Sequence, residues 1–175
     1  MNKQKISIVL ASCSLLALCG SASAAGSSST LLNVVAYVSS SCQISANSVN
    51  FGNYDPASSS AGTATGNVTL ACVKGSNPIV TLDYGQNANG NIRAMKGNNT
   101  EVLEYQLYQP ANNTAGTACT FNESVIWGRT GTERFVVTTS PGILPRTYNI
   151  CGLIPPGQDV ATDFYQDKVM AQVDF

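Results

Sequence analysis

Tyr165-Gln166-Asp167-Lys168-Val169-Met170-Ala171-Gln172-Val173-Asp174-Phe175 closes the chain. Apolar and polar residues alternate there with the two-residue period of a β-strand. Tyr165, Val169, Ala171, Val173 and Phe175 fall on one face. Gln166, Lys168, Gln172 and Asp174 fall on the other, with Met170 the one apolar residue on the polar side. A chain ending on a core-facing aromatic is expected to end inside its sheet, where most domains end in loose polar residues. Near the other end lies a second apolar extended stretch, Leu31 to Val38. A core strand at the C-terminal edge and a spare strand near the N-terminus suggest a subunit that lends a strand to its neighbour.

Residues 1–25 read as a secretory signal: Lys3 and Lys5, an apolar middle from Ile6 to Leu18, then Ala22-Ser23-Ala24 as an A-x-A cleavage site. The expected cut follows Ala24 or Ala25. The apolar run is short for a retained membrane helix and its exit is small and polar. Leu10-Ala11-Ser12-Cys13 also fits a lipoprotein box, but the apolar run continues past Cys13.

The mature chain of about 150 residues suffices for one domain with its own core. Removing Lys3 and Lys5 takes the nine basic residues to seven, against ten acidic, a net charge of −3. With no basic cluster, nucleic acid is not an expected partner. Four cysteines remain: Cys42, Cys72, Cys119 and Cys151. In a secreted domain they read as two disulfides in one of three connectivities. Cys42–Cys72 with Cys119–Cys151 is favoured, because each pair brackets one stretch of neighbouring strands. Each closes a loop of about 30 residues, on the order of 3–4 kcal/mol in the chain-entropy model. Without histidine or C-x-x-C, zinc has neither its usual nitrogen ligand nor its usual spacing, and no metal or cofactor is expected.

No stretch of the mature chain sustains a helical period. Short extended runs separated by turn residues dominate: 49–52, 66–73, 78–84, 102–108, 124–127, 134–139, 148–154 and the closing run. About eight short, evenly spaced strands argue for an all-β sandwich. There is no internal repeat, linker or charge block.

Cys42-Gln43-Ile44-Ser45, Phe51-Gly52-Asn53-Tyr54-Asp55-Pro56 and Thr65-Gly66-Asn67-Val68-Thr69-Leu70-Ala71-Cys72 resemble, in order and spacing, the spore coat protein U domain. So do Leu82-Asp83-Tyr84-Gly85, Arg93-Ala94-Met95, Leu103 to Tyr108, Ile150 to Gln158 and Tyr165 to Val169. The family includes subunits of archaic chaperone–usher pili. The resemblance implies an incomplete immunoglobulin-like sandwich, filled first by a periplasmic chaperone and then by the N-terminal segment of the next subunit, with an outer-membrane usher and neighbouring pilins as partners. It also implies a disulfide joining the first strand to the second, which maps onto Cys42 and Cys72. Asp163-Phe164 departs from the family's small residue before the last Tyr.

The expected division is then a signal at 1–25, a donor segment at 26–38 and a pilin domain at 39–175. In the donor, Leu32, Val34, Ala36 and Val38 share one face, and Leu31, Val35 and Tyr37 share the other with Asn33. Both faces are fairly apolar, so either could insert. The plain alternative makes 31–38 the first strand of its own domain. The expected product is a shaft or adaptor subunit of a surface fibre supporting adhesion and biofilm.

Three other readings compete. Enzymatic function lacks a Ser-His or Cys-His pair and a clustered carboxylate pair. A soluble sugar-binding module would use Trp127, Tyr54, Tyr84 or Tyr108, although Trp127 and Tyr105 read as core aromatics. A spore-coat protein would share the fold.

Overall fold

The stretch with the clearest alternation, Gly66 to Val73, lies almost wholly within the longest strand. The computed structural model describes residues 25–121 and 125–175. Cys42–Asn47 forms β1 and Gly62–Cys72 forms β2. Ile79–Leu82 (β3), Arg93–Lys96 (β4), Val102–Tyr108 (β5), Phe135–Val136 (β6), Arg146–Ile154 (β7) and Ala171–Asp174 (β8) follow. A 3₁₀ turn at Gly131–Glu133 is the only helical element among the described residues. The proposed signal lies outside the described residues except for Ala25, and Ala24, Cys13 and Cys19 lie outside with it.

The chain divides into two units, Met1–Ala36 and Tyr37–Phe175. In the first, residues 25–36 have no regular structure. The second holds all eight strands. They form a five-stranded sheet in the order β1-β2-β7-β5-β4 and a three-stranded sheet in the order β6-β3-β8. All pairings are antiparallel.

Period-two alternation sends Val68, Leu70, Tyr148, Ile150, Leu103, Tyr105 and Leu107 of the large sheet into the core that receives Val80, Leu82 and Phe135 from the small one. Trp127 is wholly buried among them, stacks at a tilt on Phe135 with centroids 4.7 Å apart, and donates its indole N–H to Val80 O at 3.0 Å. Each fully buried side chain of this kind contributes about 1.5–3 kcal/mol. The all-β sandwich read from the sequence is the architecture observed.

Several local expectations are corrected. Residues 165–175 are not one strand. Gln166 bridges Lys96 at the edge of the large sheet, whereas Ala171–Asp174 pairs with β3 of the small one, so the run crosses between sheets. Phe175 lies past the end of β8 and is 53% exposed, so it does not face the core. The 49–52 run is not a strand. Val49 and Phe51 instead lie over the inner face of the large sheet, where a Cβ on Gly66 or Gly152 would come within 2.7 Å of them. Arg93–Lys96, not anticipated as a strand, is one. Of the 134–139 run only Phe135–Val136 is strand, with Val137 N donating to Pro78 O at 3.1 Å beyond it. Of the 124–127 run, Ser124 lies outside the described residues and Ile126 makes one bridge, to Tyr108.

Candidate acceptor seam

Two edge strands meet without pairing. β1 hydrogen-bonds only to β2 and β8 only to β3, yet their Cα atoms come within 8 Å of each other. The two edges share no backbone hydrogen bond among the described residues, so the sandwich is unsealed along this side, and a strand pairing with both would first have to part them to about 9.5 Å, two strand spacings. The inner-face positions of the two edges are Cys42 and Ile44 on β1 and Ala171 and Val173 on β8. All four pack on the core and all four are only half-buried. Their register partners one strand inward, Cys72, Leu70, Leu82 and Val80, are buried to 1% exposure or less. A seam with unpaired backbone on both lips and half-covered apolar side chains between them has the chemistry of a site for one more strand.

Two devices hold the lips, a disulfide at β1 and a polar cluster at β8. Cys42 sits directly opposite Cys72 and is bonded to it, which ties β1 to β2 at one end. The second disulfide, Cys119–Cys151, is remote from the seam and fastens the 110–121 loop to the outer face of β7. Asn149 assists by donating to Thr117 O at 2.8 Å.

The β8 lip is fixed by a polar cluster. Asp83, just past β3, accepts from Met170 N through Oδ1 at 2.9 Å and donates its own N–H to Met170 O at 3.0 Å. Asp83 O is in turn gripped by Arg93, from Nε at 3.0 Å and Nη2 at 2.6 Å. Arg93 is fully buried, and among the described residues no carboxylate bonds its guanidinium. Instead it donates to Trp127 O and Gln106 Oε1 and lies 5.2 Å from the Tyr84 ring centroid. Burial pulls its pKa below the usual arginine range. The acids stand one tyrosine away. Asp167 accepts from the Tyr105 hydroxyl at 2.8 Å and from Gln86 N at 2.9 Å, and Glu133 accepts from the Tyr84 hydroxyl. Burial, then the Asp167 bond, push the Tyr105 hydroxyl pKa up. For Tyr84 the Glu133 bond is the larger cause of a rise.

Arg93 was missed as a positioning residue from sequence. Its signal is a single cation inside the short alternating run Ile92-Arg93-Ala94-Met95. Asp163, noted as a departure before the last Tyr, accepts from Asn99 N at 2.9 Å and Phe164 N at 2.7 Å, and these bonds hold its carboxyl below the usual range.

The remaining expected residues are placed as follows. Leu31, Leu32, Val34, Val35, Tyr37 and Val38 are 79–96% exposed, Ala36 is exposed, and none of the seven lies in a strand. A first strand of the domain at 31–38 is therefore not what forms, since the first strand begins at Cys42. Tyr165 and Val169 are half-buried on the approach to β8. Three of the four sugar-stacking aromatics are engaged elsewhere, Tyr84 by its bond to Glu133. Trp127 is interior, and Tyr54 donates to Pro155 O at 3.1 Å while accepting from Gln158 N at 2.9 Å.

Comparison with known proteins gives the family. A curated relative, "Protein U" of Myxococcus xanthus, is 29% identical over 190 residues, covering 99% of this chain and 98% of the relative. Among solved structures, a complex of the CsuC chaperone with the CsuE tip adhesion subunit, from archaic chaperone–usher Csu pili of Acinetobacter baumannii, matches with a TM-score of 0.55 and 25% identity. The match covers 79% of this chain and 40% of the matched one, so this chain spans well under half of that protein. The profile of the Spore Coat Protein U domain spans residues 28–172, nearly all of the sequence that builds the sandwich and its seam, and the chain belongs to that family.

Proposed function

We propose that this protein is a structural subunit, shaft or minor adaptor, of an archaic chaperone–usher pilus, and that it polymerises by donor-strand exchange. The observation that carries the reading is the pairing of opposites within one chain. β1 and β8 are unpaired edges that lie close together, and an apolar segment, residues 31–38, is exposed and outside any strand. Inserted from a neighbouring copy, such a segment satisfies backbone groups on both lips and covers Ile44, Ala171 and Val173. Head-to-tail donation does not close on itself, so it builds a fibre. Before assembly a periplasmic chaperone would occupy the seam, and an outer-membrane usher would exchange it for the next subunit. Residues 1–25 would direct export and be removed, and the fibre would serve surface adhesion and biofilm.

The test is the melting temperature of a chain beginning at Ser39, with and without a peptide of residues 25–38. At a hundredfold excess over its dissociation constant the peptide adds about 2.7 kcal/mol. A chain already stable and indifferent to the peptide would sink the reading.

A second reading is a spore-coat structural protein of the same fold, favoured by the near full-length match to "Protein U". Chaperone and usher genes beside this one support the pilus, whereas expression confined to sporulation supports the coat.

A further inference from the structure

We propose that the outer face of the small sheet carries a binding site for an acidic saccharide, with Arg129 and Arg134 taking its anionic group. The site lies on the side of β6-β3-β8 away from the core. Thr81 and Gln172 are register partners there, with the core-facing Val80–Val173 and Leu82–Ala171 pairs on either side. The β3–β6 register pairs Val80 with Phe135, so one step further sets Arg134 beside Thr81. The row Arg134–Thr81–Gln172 thus runs from the residue before β6 across β3 to β8. The turn carrying Arg129 and Thr130 and the side chain of Asp174 complete an open depression of about 390 Å³.

Three observations point to a ligand. Thr81 is only 7% exposed, lines the cavity, and its hydroxyl has no hydrogen-bond partner among the described residues. That hydroxyl is open to the cavity, where it can donate to or accept from a ligand. Neither guanidinium makes a hydrogen bond or ion pair among the described residues, although Asp174 lines the same cavity. Asp174 is instead engaged by Gln172, whose Nε2 donates to Oδ1 at 2.8 Å. Thr130 precedes the 3₁₀ turn without using its side chain as a cap, which leaves that hydroxyl for the cavity too.

Two unpaired guanidinium forks match a carboxylate or sulfate. Asp174 argues against a bare anion, which it would repel. A sugar ring bearing one anionic group resolves the conflict, because its hydroxyls can donate to Asp174 and Gln172 while its acid meets the arginines. The site is independent of the seam reading. It uses the outer face of β8, so a strand added at that strand's free edge leaves it open.

Ligand-observed NMR on the full mature chain tests this, with glucuronic acid, N-acetylneuraminic acid, N-acetylglucosamine and inorganic sulfate as probes. The acidic sugars should bind and N-acetylglucosamine should not. Arg129→Gln or Arg134→Gln should each weaken the acidic sugars about tenfold, and Thr81→Val should weaken them less, all at unchanged melting temperature. Asp174→Asn should weaken the sugars while strengthening sulfate. Equal binding of the neutral sugar, indifference to the arginine variants, no binding at all, or sulfate binding as tightly as the sugars (an adventitious ion only) would each overturn the proposal.

Discussion

Leu70 and Ile44 stand side by side in one sheet, register partners on adjacent strands. Leu70 is sealed from solvent and Ile44 is half-open. Val80 and Val173 repeat the contrast across the sandwich with identical side chains. Residue type does not distinguish these pairs. The difference is the strand that Ile44 and Val173 lack on one side. Hydrophobic stabilisation scales with the area taken from water, so the interior rows yield their full contribution and the seam rows only part of theirs. The interior of this sandwich is sealed, and its β1 and β8 edges are not.

The comparison can be broken first at its strongest point. Trp127→Ala should cost about 3–5 kcal/mol, measured by denaturant unfolding, and a donor peptide should not rescue it, because the lost volume lies in the finished interior. A Trp127→Ala chain restored by the peptide would mean that interior and seam are one continuous void. Next comes Cys42→Ser with Cys72→Ser, expected to cost about 3–4 kcal/mol. Its mark should be weaker donor-peptide binding, since β1 then holds to β2 by ladder and packing alone. The same change at Cys119 and Cys151 should lower stability and leave peptide affinity alone, because that bond fastens a loop on the far side of β7. Smaller again is Gly85→Ala. Gly85 has φ +84, and a Cβ there would overlap Asp167. About 1–3 kcal/mol is expected, with faster amide exchange at Met170 if the Asp83 and Asp167 contacts position β8 as described.

The sequence displays which faces point inward far better than it displays partners. From Tyr165 to Asp174 burial alternates residue by residue as the pattern predicts. The pattern is silent on the change of sheet between Gln166 and Ala171, because both sheets bury the same face of a crossing strand. Val49 and Phe51 read as a strand for the same reason: apolar residues two apart fit a pleat, and also fit a plug laid over Gly66 and Gly152. Arg93 was hidden because a cation in an apolar run looks like an edge residue, and only the tertiary fold brings the carbonyls of Leu82, Asp83 and Trp127 to it. The seam was legible only in outline. An apolar extended stretch at 31–38 and a C-terminal strand with one apolar face can be read from alternation. That β1 is the opposite lip depends on which strands fail to pair, and periodicity carries no information about an absent neighbour.

The finest test compares two valines. Val80→Ala removes a sealed side chain and should cost about 2 kcal/mol, with or without donor peptide. Val173→Ala removes a half-open one, so in the chain alone it should cost about 1 kcal/mol. With the peptide bound, Val173 becomes interior, and its cost should rise toward that of Val80. The gap between the two substitutions therefore measures the missing strand, and its closure on peptide addition measures how completely that strand is replaced. A gap that stays open while the peptide binds would place the peptide somewhere other than between β1 and β8. Val173→Asp sharpens the same point, since a carboxylate tolerated at a half-open position becomes an unpaired buried charge once the seam is filled. That variant should fold more nearly normally alone than in the filled state, and it should be selectively defective in assembly.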